Sequence, residues 1–127
     1  MSESTIVIIG NLTADPETGK TQSGTPVTSL RIASNERYVD RHTGQWTDGD
    51  TTHVHVVCWR TLAANVAKSL RKGDRVVVTG RLREREIAAR DGDERLTYEI
   101  DAEDIGASLT FATVTIQKAS GSRRVRP

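Results

Sequence analysis

The sequence predicts an all-β domain with one short helix: five strands closed into a small barrel, followed by an extra C-terminal strand. Three observations predict it. Strand-type runs rich in β-branched residues recur at residues 5–12, 27–37, 51–59, 75–87 and 95–105. The period turns helical once, across residues 61–71. Asp91-Gly92 then joins the last two runs as a tight hairpin turn.

The first run, Thr5 to Leu12, ends at Gly10-Asn11 and Asp15-Pro16. Ile6 and Ile8 point one way and Val7 and Ile9 the other, so both faces are apolar. In so small a protein this favours a second subunit over one of the faces. Residues 16–26 hold Pro16, Gly19, Gly24 and Pro26 and read as a turn-rich connection. The second strand, 27–37, leads into a polar loop at 40–50 that carries Trp46. In the third strand Val54, Val56 and Cys58 form a core face, while His53, His55, Val57 and Trp59 share the other.

Leu62, Val66 and Leu70, with Ala63 and Ala67 alongside, make the apolar stripe of the helix. Lys68, Arg71 and Lys72 suit the negative end of its dipole and Gly73 suits a C′ position, so helix chemistry accounts for these cations. In the fourth strand Val76, Val78, Gly80 and Leu82 lie on one face and Arg81, Arg83 and Arg85 on the other. Residues 109–118 have strand propensity, and the last nine residues read as a flexible basic tail. Three strands, a helix and a long hairpin, taken as all-antiparallel, fit an OB-fold. Immunoglobulin-like sandwiches fit less well, since they need about seven strands and lack the helix.

At 127 residues the chain makes one domain. Its longest apolar run, Ile6-Val7-Ile8-Ile9, is too short for a membrane span or a signal-peptide core, so the cytoplasm is expected. A single Cys58 forms no internal disulfide. The net charge of +1 does not by itself suggest a nucleic-acid binder. Residues 118–127 carry Lys118, Arg123, Arg124 and Arg126 without an acid, while residues 91–104 hold seven acids. Any nucleic-acid surface is therefore a local stripe on a nearly neutral body.

The arginines of the fourth strand form such a stripe. Their spacing of about 6.6–7 Å matches successive phosphates, and guanidinium groups also stack on bases. Whether the stripe is neutralised depends on the hairpin register, because Glu99, Asp101 and Glu103 alternate in the fifth strand. A two-residue loop at Asp91-Gly92 sets Arg83 opposite Ile100 and Arg85 opposite Tyr98. A one-residue shift sets them opposite Asp101 and Glu99. Trp59 and His53 add groups that stack on bases. Tyr38 shares parity with the core residues Leu30 and Ile32, so a bulge or strong twist is needed to turn it outward. Trp46 is either a stacking group or a loop anchor. His53 and His55, near Asp48, Asp50 and Cys58, include metal-ligand types but lack a fourth convergent partner. No nucleophile-elbow, P-loop or dinucleotide motif is present. No catalytic residue, metal or cofactor is expected.

Two long segments then carry a resemblance. Ile8-Ile9-Gly10-Asn11-Leu12-Thr13-Ala14-Asp15-Pro16-Glu17 resembles the opening strand of bacterial single-stranded DNA-binding proteins. Leu70-Arg71-Lys72-Gly73-Asp74-Arg75-Val76-Val77-Val78-Thr79-Gly80-Arg81-Leu82 is similar to their helix-to-strand junction, and Tyr38-Val39-Asp40-Arg41-His42-Thr43-Gly44 is similar to a loop of theirs. The likeness spans roughly residues 5–110. It implies an OB-fold over 1–110, a strand at 111–118 clamping one subunit to its neighbour, and a tail at 119–127. It also implies a homotetramer that binds and protects single-stranded DNA without sequence preference, in the cytoplasm at the nucleoid, during replication, recombination and repair.

Tyr38 and Trp59 occupy two of the family's aromatic positions. His53 and Ile87 stand where Trp or Phe is usual, which weakens stacking there and suggests a divergent paralogue. The family normally ends in an acidic C-terminal tip, whereas the sequence here ends in the basic Ser122–Pro127, which leaves recruitment of replication and repair proteins open. The expected DNA contacts are Arg31, Arg37, Tyr38, His53, Trp59, Arg81, Arg83 and Arg85. The alternative is a protein-interaction OB module with weak DNA affinity, favoured by the acidic fifth strand.

Overall fold

The structure, a computed structural model, describes residues 5–39, 42–88 and 94–119. Its elements are β1 (Thr5–Leu12), β2 (Glu17–Lys20), β3 (Pro26–Val39), β4 (Trp46–Trp59), α1 (Arg60–Ser69), β5 (Arg75–Ala88) and β6 (Glu94–Ala107). Neighbours run β1-β5-β6-β4-β3, and β1 pairs again with β3, which closes a ring of five strands. With α1 between the third and fourth strands of that ring, this is the expected OB-fold.

Four details differ from the sequence reading. First, β2 forms a short hairpin with β3, Glu17 opposite Ser29, inside the segment read as a connection. Second, β4 starts at Trp46, so the loop before it is shorter than 40–50. Third, β4 and β6 pair in parallel, Val56 opposite Ile100, rather than antiparallel. An odd number of strands cannot alternate direction all the way round a ring, so closure forces one parallel seam. Fourth, the tract expected to form a strand at 111–118 and clamp a neighbouring subunit pairs with no strand within this chain.

The core follows the alternation closely. Leu30, Ile32, Val56, Cys58, Val76, Val78 and Ile100 are buried inside the ring, and Leu12 closes one end with Ala63, Val66 and Leu70 of α1. Thr28 Oγ1 donates to the Ala63 carbonyl at 2.8 Å and ties the helix to β3. Arg71 caps the helix end by donating to the carbonyls of Ala67 (2.9 Å) and Leu70 (2.7 Å), as the dipole argument requires.

Gly73 is not the C′ residue, because the helix ends two residues earlier, with Leu70 as its C-cap. It adopts φ 93° in the turn closed by Asp74 N–H to the Arg71 carbonyl. That turn clips onto β1: Gly73 N–H donates to Leu12, Asn11 Nδ2 donates to the Gly73 carbonyl, and Lys72 N–H donates to Asp15. The two long segments singled out in the sequence therefore meet, and their turn residues serve the scaffold.

Cys58 lies in this core. Burial, and then the negative charge of Asp101, raise its thiol from 9.0 to about 11. Since the folded value is the higher, its contribution to stability is complete below pH 9 and is lost as pH climbs toward 11. Alkylation at pH 8 is expected to be slow in the native protein and fast in denaturant. Equal rates, followed by mass spectrometry, would show the thiol to be accessible.

Candidate nucleic-acid interface

Pairing determines which side chains share the outer wall. Arg31 lies opposite His55 and Ala33 opposite His53 across β3 and β4. His55 pairs with Glu99 and Val57 with Asp101 across the parallel seam. Arg81 pairs with Asp101, Arg83 with Glu99 and Arg85 with Thr97 across β5 and β6. Directly opposed residues point the same way. One wall spanning β3-β4-β6-β5 therefore carries Arg31, His53, His55, Trp59, Glu99, Asp101, Arg81 and Arg83.

The hairpin register is neither of the two considered from sequence. It lies one residue from the first and two from the second, so its parity brings acids and arginines to one face. Tyr98, considered as a neighbour of the arginines, pairs with Glu84 on the other face. A bulge between Thr79 and Gly80 shifts the ladder, and the turn at 91–92 lies outside the described residues.

Among the predicted contacts, Arg31, His53 and Arg81 are exposed on this wall. Trp59, at the end of β4, is 40% exposed, so its ring is presented rather than sealed. Its indole N–H donates to Asp101 Oδ1 at 3.0 Å. Arg83 Nη1 donates to Asp101 Oδ2 at 3.1 Å, the diagonal cross-strand contact. His55 Nδ1 lies 3.5 Å from Glu99. Arg37, Tyr38 and Arg85 sit on strands β3 and β5, but their side chains, like those of Trp46 and Ile87, fall outside the described residues. The β3–β4 ladder does break between Asn35 and Arg37, close to the bulge that Tyr38 required.

Arg60, just after Trp59, adopts φ 59°, the left-handed region. This costs about 1–2 kcal/mol for a residue with a Cβ and makes the sharp corner from strand to helix. No group of three or more His, Cys, Asp or Glu side chains converges as a metal site among the described residues.

What this wall offers is one half-exposed ring, exposed arginines on β3 and β5, imidazoles on β4, and carboxylates between them. A family model described as "Single-strand binding protein family" matches residues 3–108. This chain belongs to that family. The single-stranded DNA-binding protein of Mycolicibacterium smegmatis is 45% identical over 120 residues, covering 94% of this chain and 73% of its own length. That of Mycobacterium tuberculosis is 46% identical over 120 residues, with the same coverage. The crystal structure of a small single-stranded DNA-binding protein from Streptomyces coelicolor superposes with a TM-score of 0.74 at 40% identity, covering 86% of this chain and 97% of that one.

Single-strand binding proteins of this family are not enzymes. Besides His55, the wall residues that the sequence reading left out of the site are the acids Asp101 and Glu99. Their spacing in the fifth strand was the available signal, but only the register shows that they face the arginines. No described helix is long and apolar enough to cross a membrane.

Proposed function

We propose that this member of the single-strand binding protein family binds and protects single-stranded DNA without sequence preference along the β3-β4-β6-β5 wall. It would do so in replication, recombination and repair, as a cytoplasmic, nucleoid-associated homotetramer. The observation that carries the reading is the presented indole of Trp59 on the same wall as Arg31, His53, Arg81 and Arg83. An unstacked base lies on the ring while guanidinium groups take the flanking phosphates, and neither contact depends on base identity. Arg37, Tyr38 and Arg85 would extend the path along the β3–β4 and β5–β6 arms.

The relatives' names support the ligand. The outward face of β1, with Val7 59% and Ile9 42% exposed, and the apolar arm, with Phe111 77% and Ile116 86% exposed, support burial against further copies. Sedimentation at four times the 13.9 kDa chain mass is the expected outcome.

Tryptophan fluorescence titrated with oligothymidylate and with a duplex of equal length tests the reading. Quenching by the single strand, weakening steeply with salt and much smaller for the duplex, is expected. The second reading, a protein-interaction module with weak DNA affinity, is favoured by the Arg83–Asp101 pair, which neutralises part of the wall, and by the carboxylate of Glu99 beside His55. Absence of quenching up to roughly 100 µM oligonucleotide, the weak end of sequence-independent binding, would establish it instead.

A further inference from the structure

Asp101 is an unusual residue to find on a surface that meets phosphates. It is centred on the wall, opposite Val57 on one side and Arg81 on the other. Each of its oxygens holds one of the proposed DNA contacts: Oδ1 accepts from the Trp59 indole at 3.0 Å and Oδ2 from Arg83 at 3.1 Å. Its side chain is 29% exposed and that of Arg83 is 64% exposed, so the pair sits at the surface, within reach of an incoming strand.

We infer that Asp101 is a positioning residue that stands in for a DNA phosphate in the unliganded protein. It holds the guanidinium of Arg83 where a phosphate will sit, keeps the N–H edge of the indole toward itself, and yields Arg83 when a strand binds. This rests on the wall being the DNA site. The physical basis is an exchange of like for like. A carboxylate and a phosphate oxygen make the same charge-assisted bond to a guanidinium. An exposed ion pair is weak enough to be traded. The carboxylate stays behind as a nearby negative charge, so the exchange lowers affinity relative to an uncharged acceptor at the same place. Asparagine is such an acceptor: its carbonyl oxygen still receives the indole N–H, but it no longer holds Arg83 as an ion pair.

The expected result for Asp101→Asn is tighter binding to oligothymidylate, by about three- to tenfold at low salt. The slope of log affinity against log salt should steepen by up to about 0.7, the equivalent of one phosphate contact, because no carboxylate is left behind to offset the contact that Arg83 makes. In an Arg83→Ala background the same change should gain little, because the released partner is gone. Asp101→Thr, which keeps a hydroxyl acceptor on a strand-favouring residue, provides the same readout if the asparagine variant does not fold.

Unchanged or weaker binding by a folded Asp101 variant with an unchanged salt slope overturns the inference, as does an equal gain with and without Arg83. Failure of the unmodified protein to bind the oligonucleotide would instead remove the proposed site itself. The two failures are therefore told apart in one titration series.

Discussion

Replacing Trp59 with alanine is expected to weaken single-strand binding by about 1–3 kcal/mol, the range found when stacking aromatics are truncated in single-strand binders generally. The loss should be nearly the same for oligomers of thymidine, cytidine and adenosine, because every base offers a π face. Trp59 is 40% exposed and its indole nitrogen bonds at the surface to Asp101, so its removal should leave the thermal transition largely in place. Trp59→Phe separates the two roles of the side chain. The ring remains for stacking and the bond to Asp101 is lost, so a smaller loss is expected. Fluorescence anisotropy of a labelled oligonucleotide reads both variants without relying on the tryptophan signal. A folded Trp59→Ala protein with unaltered affinity would take this residue out of the interface.

The largest expected effect on stability comes from Gly80→Ala. A Cβ built at Gly80 meets the Asp101 carbonyl oxygen at 2.4 Å and the Ala102 Cα and Ile100 Cγ2 at 2.9 Å. The first two are backbone atoms of the paired strand, so no side-chain rotation relieves them. The position also sits at the register break between β5 and β6, inside a closed ring whose strands cannot part locally without losing pairing. A cost of about 2–4 kcal/mol follows from overpacking of this kind.

Gly106→Ala is the matched control. Its Cβ meets nothing within 4 Å and its backbone is not in the left-handed region, so a change within about 0.5 kcal/mol is expected. Urea unfolding at one fixed protein concentration compares the two, since association adds to apparent stability. Equal midpoints would show that the ring opens at Gly80 at little cost. Gly10, whose Cβ would lie 2.4 Å from the Ala33 carbonyl oxygen, belongs to the same class at the β1–β3 seam.

The elements were legible because each rests on a local pattern. The alternation of Val54, Val56 and Cys58 against His53, His55 and Trp59 separates core from wall as expected. The helical stripe holds too, with Ala63, Val66 and Leu70 buried, and Lys68, Arg71 and Lys72 are explained by the helix end and the turn after it. The short β2 hairpin was missed because four exposed residues, Glu17 to Lys20, carry no hydrophobic alternation. The C-terminal tract has strand propensity in its residues but pairs with no strand within this chain.

Sequence by itself determined the number of ring strands, the place of the helix, and which side chains of β3, β4 and β5 face inward. These follow from periodicity and turn chemistry within about ten neighbouring residues. Tertiary structure alone decided how those strands slide past one another. The register of β5 on β6, its bulge at Gly80, and the parallel seam of β4 with β6 bring Asp101 between Trp59 and Arg83. Register is a collective property of a closed ring: each pairing must agree with the next until the circle joins, and a slip of one residue turns a carboxylate from one face to the other. No single stretch of chain contains that condition.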